Sequence, residues 1–120
     1  MSVMVVVPDS EEGAYALEAG VVEAEARSTS LIVVNLTLGE IDLAGVPEGL
    51  VEKVVSRRGK DDRDPVDTVL NALNANPDAD RLVICVARRS PVGKFLLGSI
   101  SQQLVLRAEV PVLCVKRPVS

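Results

Sequence analysis

Four short runs of this chain are almost wholly aliphatic: residues 3–7 (VMVVV), 31–36 (LIVVNL), 82–86 (LVICV) and 110–116 (VPVLCVK). A strand with one face in water alternates apolar and polar residues, whereas a run without alternation suits a central strand covered on both faces, as in a parallel sheet. Between these runs the apolar spacing changes to that of helices. Ser10, Glu11 and Glu12 form a helix-start signal, and Ala14, Leu17, Val21 and Ala24 then recur at helical spacing as far as Ser28-Thr29-Ser30. Gly20 inside that helix costs about 1 kcal/mol relative to alanine, which a close helix-to-sheet contact accounts for.

The rest of the chain completes the alternation. Residues 37–49 leave room for a short helix or turn, and residues 52–57, centred on Val54 and Val55, read as a third strand whose charges suit a sheet edge. After a charged loop at 58–64, Asp64-Pro65 opens a second helix with the stripe Val66, Val69, Leu70 and Leu73, and Asn76-Pro77-Asp78 stops it. A last helix is expected over residues 99–108, capped by Ser99. The order β-α-β-(short)-β-α-β-α-β predicts a single α/β domain over residues 1–120. It would be a three-layer sandwich with a five-stranded, mainly parallel sheet, right-handed crossovers and helices on both faces. Ligands of such sheets bind at the carboxyl ends of the strands where strand order reverses, and Pro8-Asp9 and residues 87–99 would flank that point.

Composition narrows the chemistry. The 120 residues contain no histidine, which removes histidine-dependent triads and the commonest metal ligand, and no zinc-type spacing is present. A net charge of −4, one Tyr, one Phe and no Trp argue against nucleic-acid binding, which wants a basic face and stacking aromatics. Residues 1–7 are apolar but lack a basic flank and run directly into Pro8-Asp9-Ser10, so neither a signal peptide nor a membrane span is expected, and the location should be cytoplasmic. Cys85 and Cys114 both lie in strand-like runs and read as small buried hydrophobes without a disulfide. Cys85 carries one alternative: at a strand end beside Arg88 and a helix start, its thiol pKa would be lowered, as in a redox sensor.

The segment Ala87-Arg88-Arg89-Ser90-Pro91-Val92-Gly93-Lys94-Phe95-Leu96-Leu97-Gly98-Ser99 carries the functional signal. It joins a buried strand to a helix start, where unpaired N–H groups, a glycine and nearby cations together favour bound phosphate. It is not a Walker A loop, because Phe95 follows Gly93-Lys94 and Arg88 stands where the opening glycine is needed. Asp61, Asp62 and Asp64 read as a solvated loop rather than a Mg²⁺ site. A receiver-type phosphoacceptor fails because the third strand ends in Arg57-Arg58. Ser90 and Ser99 have no neighbouring base to make either a nucleophile, so no catalytic residue is assigned.

The Leu96-Leu97-Gly98-Ser99 turn, the ending Ala108-Glu109-Val110-Pro111-Val112-Leu113-Cys114-Val115-Lys116 and the start Pro8-Asp9-Ser10-Glu11 followed by Ala16-Leu17 resemble the universal stress protein family. The resemblance spans the chain and implies an adenine nucleotide alpha hydrolase-like fold, an α/β sandwich with strand order 3-2-1-4-5. Nucleotide-binding members carry G-x2-G-x9-G-[ST] between the fourth strand and last helix. Gly98 and Ser99 match its closing pair, with the Ile100 amide adjoining, while its first two glycines fall on Cys85 and Arg88. Pro8 replaces an aspartate that lies near the sugar in binding members, with Asp9 one residue late. Leu36 matches the position whose backbone meets the adenine.

Glycine permits positive φ and close approach of the backbone to a pyrophosphate, so a Cβ at positions 85 and 88 is expected to narrow the cleft. Arg88, Arg89, Ser90 and Lys94 offer side-chain contacts to an anion instead. The resemblance therefore implies a non-catalytic stress-response or regulatory module with a modified cleft for ATP, AMP or phosphate and no metal requirement. The alternatives are a genuine ATP binder with slow hydrolysis and a dimeric interaction module that binds no nucleotide. It also implies a homodimer paired through the last strand, Val112 to Val115.

Overall fold

A computed structural model describes residues 1–56, 64–86 and 98–116. Its elements are β1 (Ser2–Val7), α1 (Glu12–Ala26), β2 (Ser30–Asn35), β3 (Val51–Ser56), α2 (Pro65–Ala75), β4 (Ala79–Val86), α3 (Ser99–Arg107) and β5 (Val112–Lys116). They form a five-stranded sheet in the order β3-β2-β1-β4-β5. All four strand pairs are parallel. The expected topology is present, with strand order reversing between β1 and β4.

The aliphatic runs became central strands because both of their faces are covered. Every residue of β1 is buried. Alternation sends Val3, Val5 and Val7 into a cluster with Ala16 and Ala24 of α1. Met4 and Val6 face the other way, into a cluster with Val66, Val69 and Ala72 of α2 and Leu104 of α3. Helices thus lie on both faces, α1 on one and α2 with α3 on the other. β3 and β5 are the sheet edges, and the residues of β3 are no more than half-buried.

Small residues set how closely α1 packs. Its buried positions are Gly13, Ala16, Gly20 and Ala24. A Cβ on Gly20 would lie 2.7 Å from Val5 Cβ, so the close helix-to-sheet contact expected from the sequence is present. Ala14, by contrast, is exposed and not part of the inward stripe, while Leu17 and Val21 are half-buried. The helix is rotated so that its smallest residues, rather than its most apolar ones, meet the sheet.

Helix ends follow local chemistry in one case and depart from it in another. Asp64 caps α2 by accepting a hydrogen bond from the Val66 N–H at 2.9 Å, with Pro65 in the first turn. Ser99 does not cap α3. The N-cap is Gly98, Ser99 is the first helical residue, and no side-chain cap bond is made. Cys114 is a second departure, since β5 is an edge strand and leaves this thiol exposed. Burial by its neighbours still pushes its pKa upward, so it stays a thiol at neutral pH.

The connection between β2 and β3 contains no helix. It is held instead by a side-chain network around buried Asn35, whose Nδ2 donates to the Gly39 carbonyl at 2.7 Å and whose Oδ1 accepts from the Thr37 N–H at 2.9 Å. The Val46 N–H closes a further turn onto the Leu43 carbonyl at 3.0 Å.

Candidate functional site

A cleft of about 200 Å³ opens where β1 and β4 diverge, between their carboxyl ends and the start of α3. Val6, Leu36, Ile84 and Leu104 give it an apolar floor, and Pro8 and Ser10 form one rim. Gly98, Ser99, Ile100 and Ser101 form the opposite rim. This is the position at which parallel α/β sheets hold ligands.

The α3 rim supplies the polar chemistry. The first intrahelical bond runs from the Gln102 N–H to the Gly98 carbonyl at 2.9 Å. The N–H groups of Ser99, Ile100 and Ser101 therefore have no carbonyl one turn back within the helix, and they sit at the positive end of its dipole. Gly98 has φ −69° and ψ 168°, a conformation open to any residue, so what glycine contributes here is the space left by a missing side chain. A carboxylate also lines the cleft: Glu12 accepts the Ser10 hydroxyl at 2.6 Å. Its charge opposes an anion that the α3 terminus attracts.

Of the residues singled out from the sequence, Pro8, Leu36, Gly98, Ser99 and Ile100 come together in this cleft. Asp9 does not; it lines a separate cavity beside α1. Arg88, Arg89, Ser90 and Lys94 lie outside the described residues. Cys85 adjoins the cleft, but alternation along β4 turns its side chain into the α1-side cluster while Ile84 faces α3. Cys85 thus borders the cleft from the α1 side of β4. The Leu36 N–H is engaged by the Val7 carbonyl at 2.9 Å, extending the β1–β2 ladder past the strand end. Ser10, Glu12 and Ser101 were not anticipated, and only their proximity to the strand ends could have suggested them.

A doubly wound parallel sheet with helices on both faces, and a helix N-terminus beside the cleft at its switch point, defines the fold class: a three-layer α/β domain. Comparison with known proteins is consistent with this. Residues 47–116 match the model of the universal stress protein family. A universal stress protein of Mycolicibacterium smegmatis is 38% identical over 116 residues, covering 87% of this chain and 88% of the relative. The chain belongs to the universal stress protein family. A universal stress protein structure from Archaeoglobus fulgidus superimposes with a TM-score of 0.69 at 26% identity, covering 97% of this chain and 98% of that one. A structure of the Archaeoglobus fulgidus protein in complex with dAMP gives a TM-score of 0.62 at 22% identity, with the same coverage of 97% and 98%.

Proposed function

We propose that this chain is a non-catalytic stress-response or regulatory module whose cleft at the start of α3 receives a small anion, either inorganic phosphate or the phosphate of an adenine nucleotide. The observation that carries the reading is the convergence of Gly98, Ser99 and Ile100 on a cleft of only about 200 Å³. Pockets for drug-sized ligands usually enclose roughly 300–1,000 Å³, so a phosphate suits this space better than a whole nucleotide. Pro8 supports the same conclusion, because it brings neither a carboxylate nor an N–H to the rim where binding relatives place an aspartate. No step of catalysis is assigned, and an anion held by helix N–H groups needs no metal.

The second reading is a genuine ATP or AMP binder, favoured by the dAMP complex of the Archaeoglobus fulgidus protein. Calorimetric titration with phosphate, AMP and ATP separates the two. The proposed module should bind phosphate and AMP with affinities within about tenfold of each other, a difference of about 1.4 kcal/mol. Gly98→Val should abolish both by filling the rim. Tight ATP binding by the wild type, lost in Gly98→Val, would overturn the phosphate reading in favour of the nucleotide one. No heat with any of the three ligands would leave an interaction module that binds no nucleotide.

The proposed assembly is a homodimer of single domains, each spanning residues 1–120, in the cytoplasm. Support comes from β5, an edge strand with exposed Leu113 and Cys114, and α3 adds an apolar side chain, Leu106, that is 80% exposed. An open apolar edge is an aggregation hazard unless a two-fold partner pairs with it. Leu113→Lys should convert the wild-type dimer to monomer in sedimentation equilibrium without loss of helix content. A variant that remains dimeric would move the interface elsewhere. Among the described residues no helix is long and apolar enough to cross a membrane.

A further inference from the structure

A second, larger cavity adjoins the proposed anion cleft at Pro8 and Ser10. It measures about 690 Å³ and is a solvent-open groove between α1 and the connection from β2 to β3. Its existence follows from the topology. A parallel β–α–β crossover ordinarily lays a helix across the sheet, but residues 36–50 make this crossover without one, so the space beside α1 is bounded by an irregular chain. That chain is fixed in place by the Asn35, Thr37 and Gly39 hydrogen bonds and by the turn at Val46, which gives the cavity a preformed wall.

The lining has two parts. Leu17 and Val21 of α1 and Ile41 and Val46 of the connection supply apolar walls. Asp9, Glu18, Glu40 and Asp42 supply carboxylates, and the described lining contains no lysine or arginine. Asp42 uses Oδ1 to accept the Ala44 N–H at 2.9 Å, an arrangement that an asparagine would retain. A volume within the usual ligand range, apolar walls and charge of a single sign together specify the occupant.

We infer that this cavity is a binding site for a small organic cation, an alkyl- or arylammonium whose apolar body lies against Leu17, Val21, Ile41 and Val46 while its charge meets the Glu40 and Asp42 carboxylates. Its chemistry is opposite to that of the anion cleft, and the inference does not rest on the function proposed for that cleft. The two cavities share Pro8 and Ser10, so an occupant of one borders the segment that shapes the other.

The test is an amide-resolved NMR titration of the full chain with phenethylammonium chloride at low ionic strength. Saturable shifts are expected at the amides of Gly13, Val21, Gly45 and Val46. The uncharged analogue 2-phenylethanol should bind at least about tenfold more weakly, and added salt should weaken the ammonium, as screening requires. The Glu40→Gln/Asp42→Asn double variant changes two exposed side chains, so its spectrum should stay folded while ammonium affinity falls about tenfold and alcohol affinity does not change. Equal binding of alcohol and ammonium would reduce the cavity to an uncharged apolar groove and overturn the assignment. Absence of shifts at these amides, or an ammonium affinity unchanged in the double variant, would also overturn it.

Discussion

Leu104→Ala is expected to lower stability by about 2–5 kcal/mol, the range for truncating a fully buried leucine that leaves a cavity. Leu104 is the one buried residue of α3 and joins Met4, Val6, Leu82 and Ile84 in the core. The other contacts of this helix are weaker. Ile100, Val105 and Leu106 are all substantially exposed, and the Arg107–Asp67 pair at 3.8 Å lies in solvent, where such pairs contribute little. The same side chain lines the cleft proposed to take an anion, so, on that proposal, loosening it should also weaken phosphate binding by releasing the Gly98–Ile100 rim. Urea unfolding should show a lower midpoint with an unchanged slope, and Leu104→Met should recover most of the loss because volume is nearly conserved. A loss below about 1 kcal/mol would mean that α3 is held by something other than this contact.

Gly20→Ala should lower stability by about 1–2 kcal/mol, even though helix propensity alone predicts a gain of about 1 kcal/mol. The added Cβ would lie 2.7 Å from Val5 Cβ and 3.0 Å from each of its methyl groups. Val5 cannot yield, because it is fully buried in a strand paired on both sides with β2 and β4. The helix would have to lift, opening the cluster that Ala16 and Ala24 share with Val3, Val7 and Val33. Thermal unfolding reads the sign directly: a raised Tm would show that the contact gives way and propensity prevails.

These two residues also mark how far sequence reasoning reached. Gly20 was legible because an interior glycine is costly in a helix and so implies a compensating close approach. Leu104 was not, since α3 carries Ile100, Leu104, Val105 and Leu106 at spacings that leave several inward faces open, and only docking against α2 and β4 selects one. Gly13 escaped for a related reason. A Cβ there would lie 2.8 Å from the Pro8 carbonyl, a contact created by how α1 leaves the turn after β1. At the site, the helix-start chemistry of Gly98, Ser99 and Ile100 was readable locally, whereas Ser10 and Glu12 reach the cleft only through the meeting of two chain segments.

The sequence by itself determined the parallel sheet with helices on both faces, and its resemblance to a known family added the strand order. Continuous aliphatic runs demand burial on both faces, and helical spacing between them leaves few crossovers that satisfy it. Tertiary structure decided the orientation of individual side chains. Alternation along β4 turned Cys85 toward α1, the edge position of β5 exposed Cys114, and Asp9 went to the cavity beside α1 rather than to the anion cleft. Periodicity specifies that a residue is buried, but which neighbour it meets depends on register and on which face each helix covers, and those are fixed only when the layers pack.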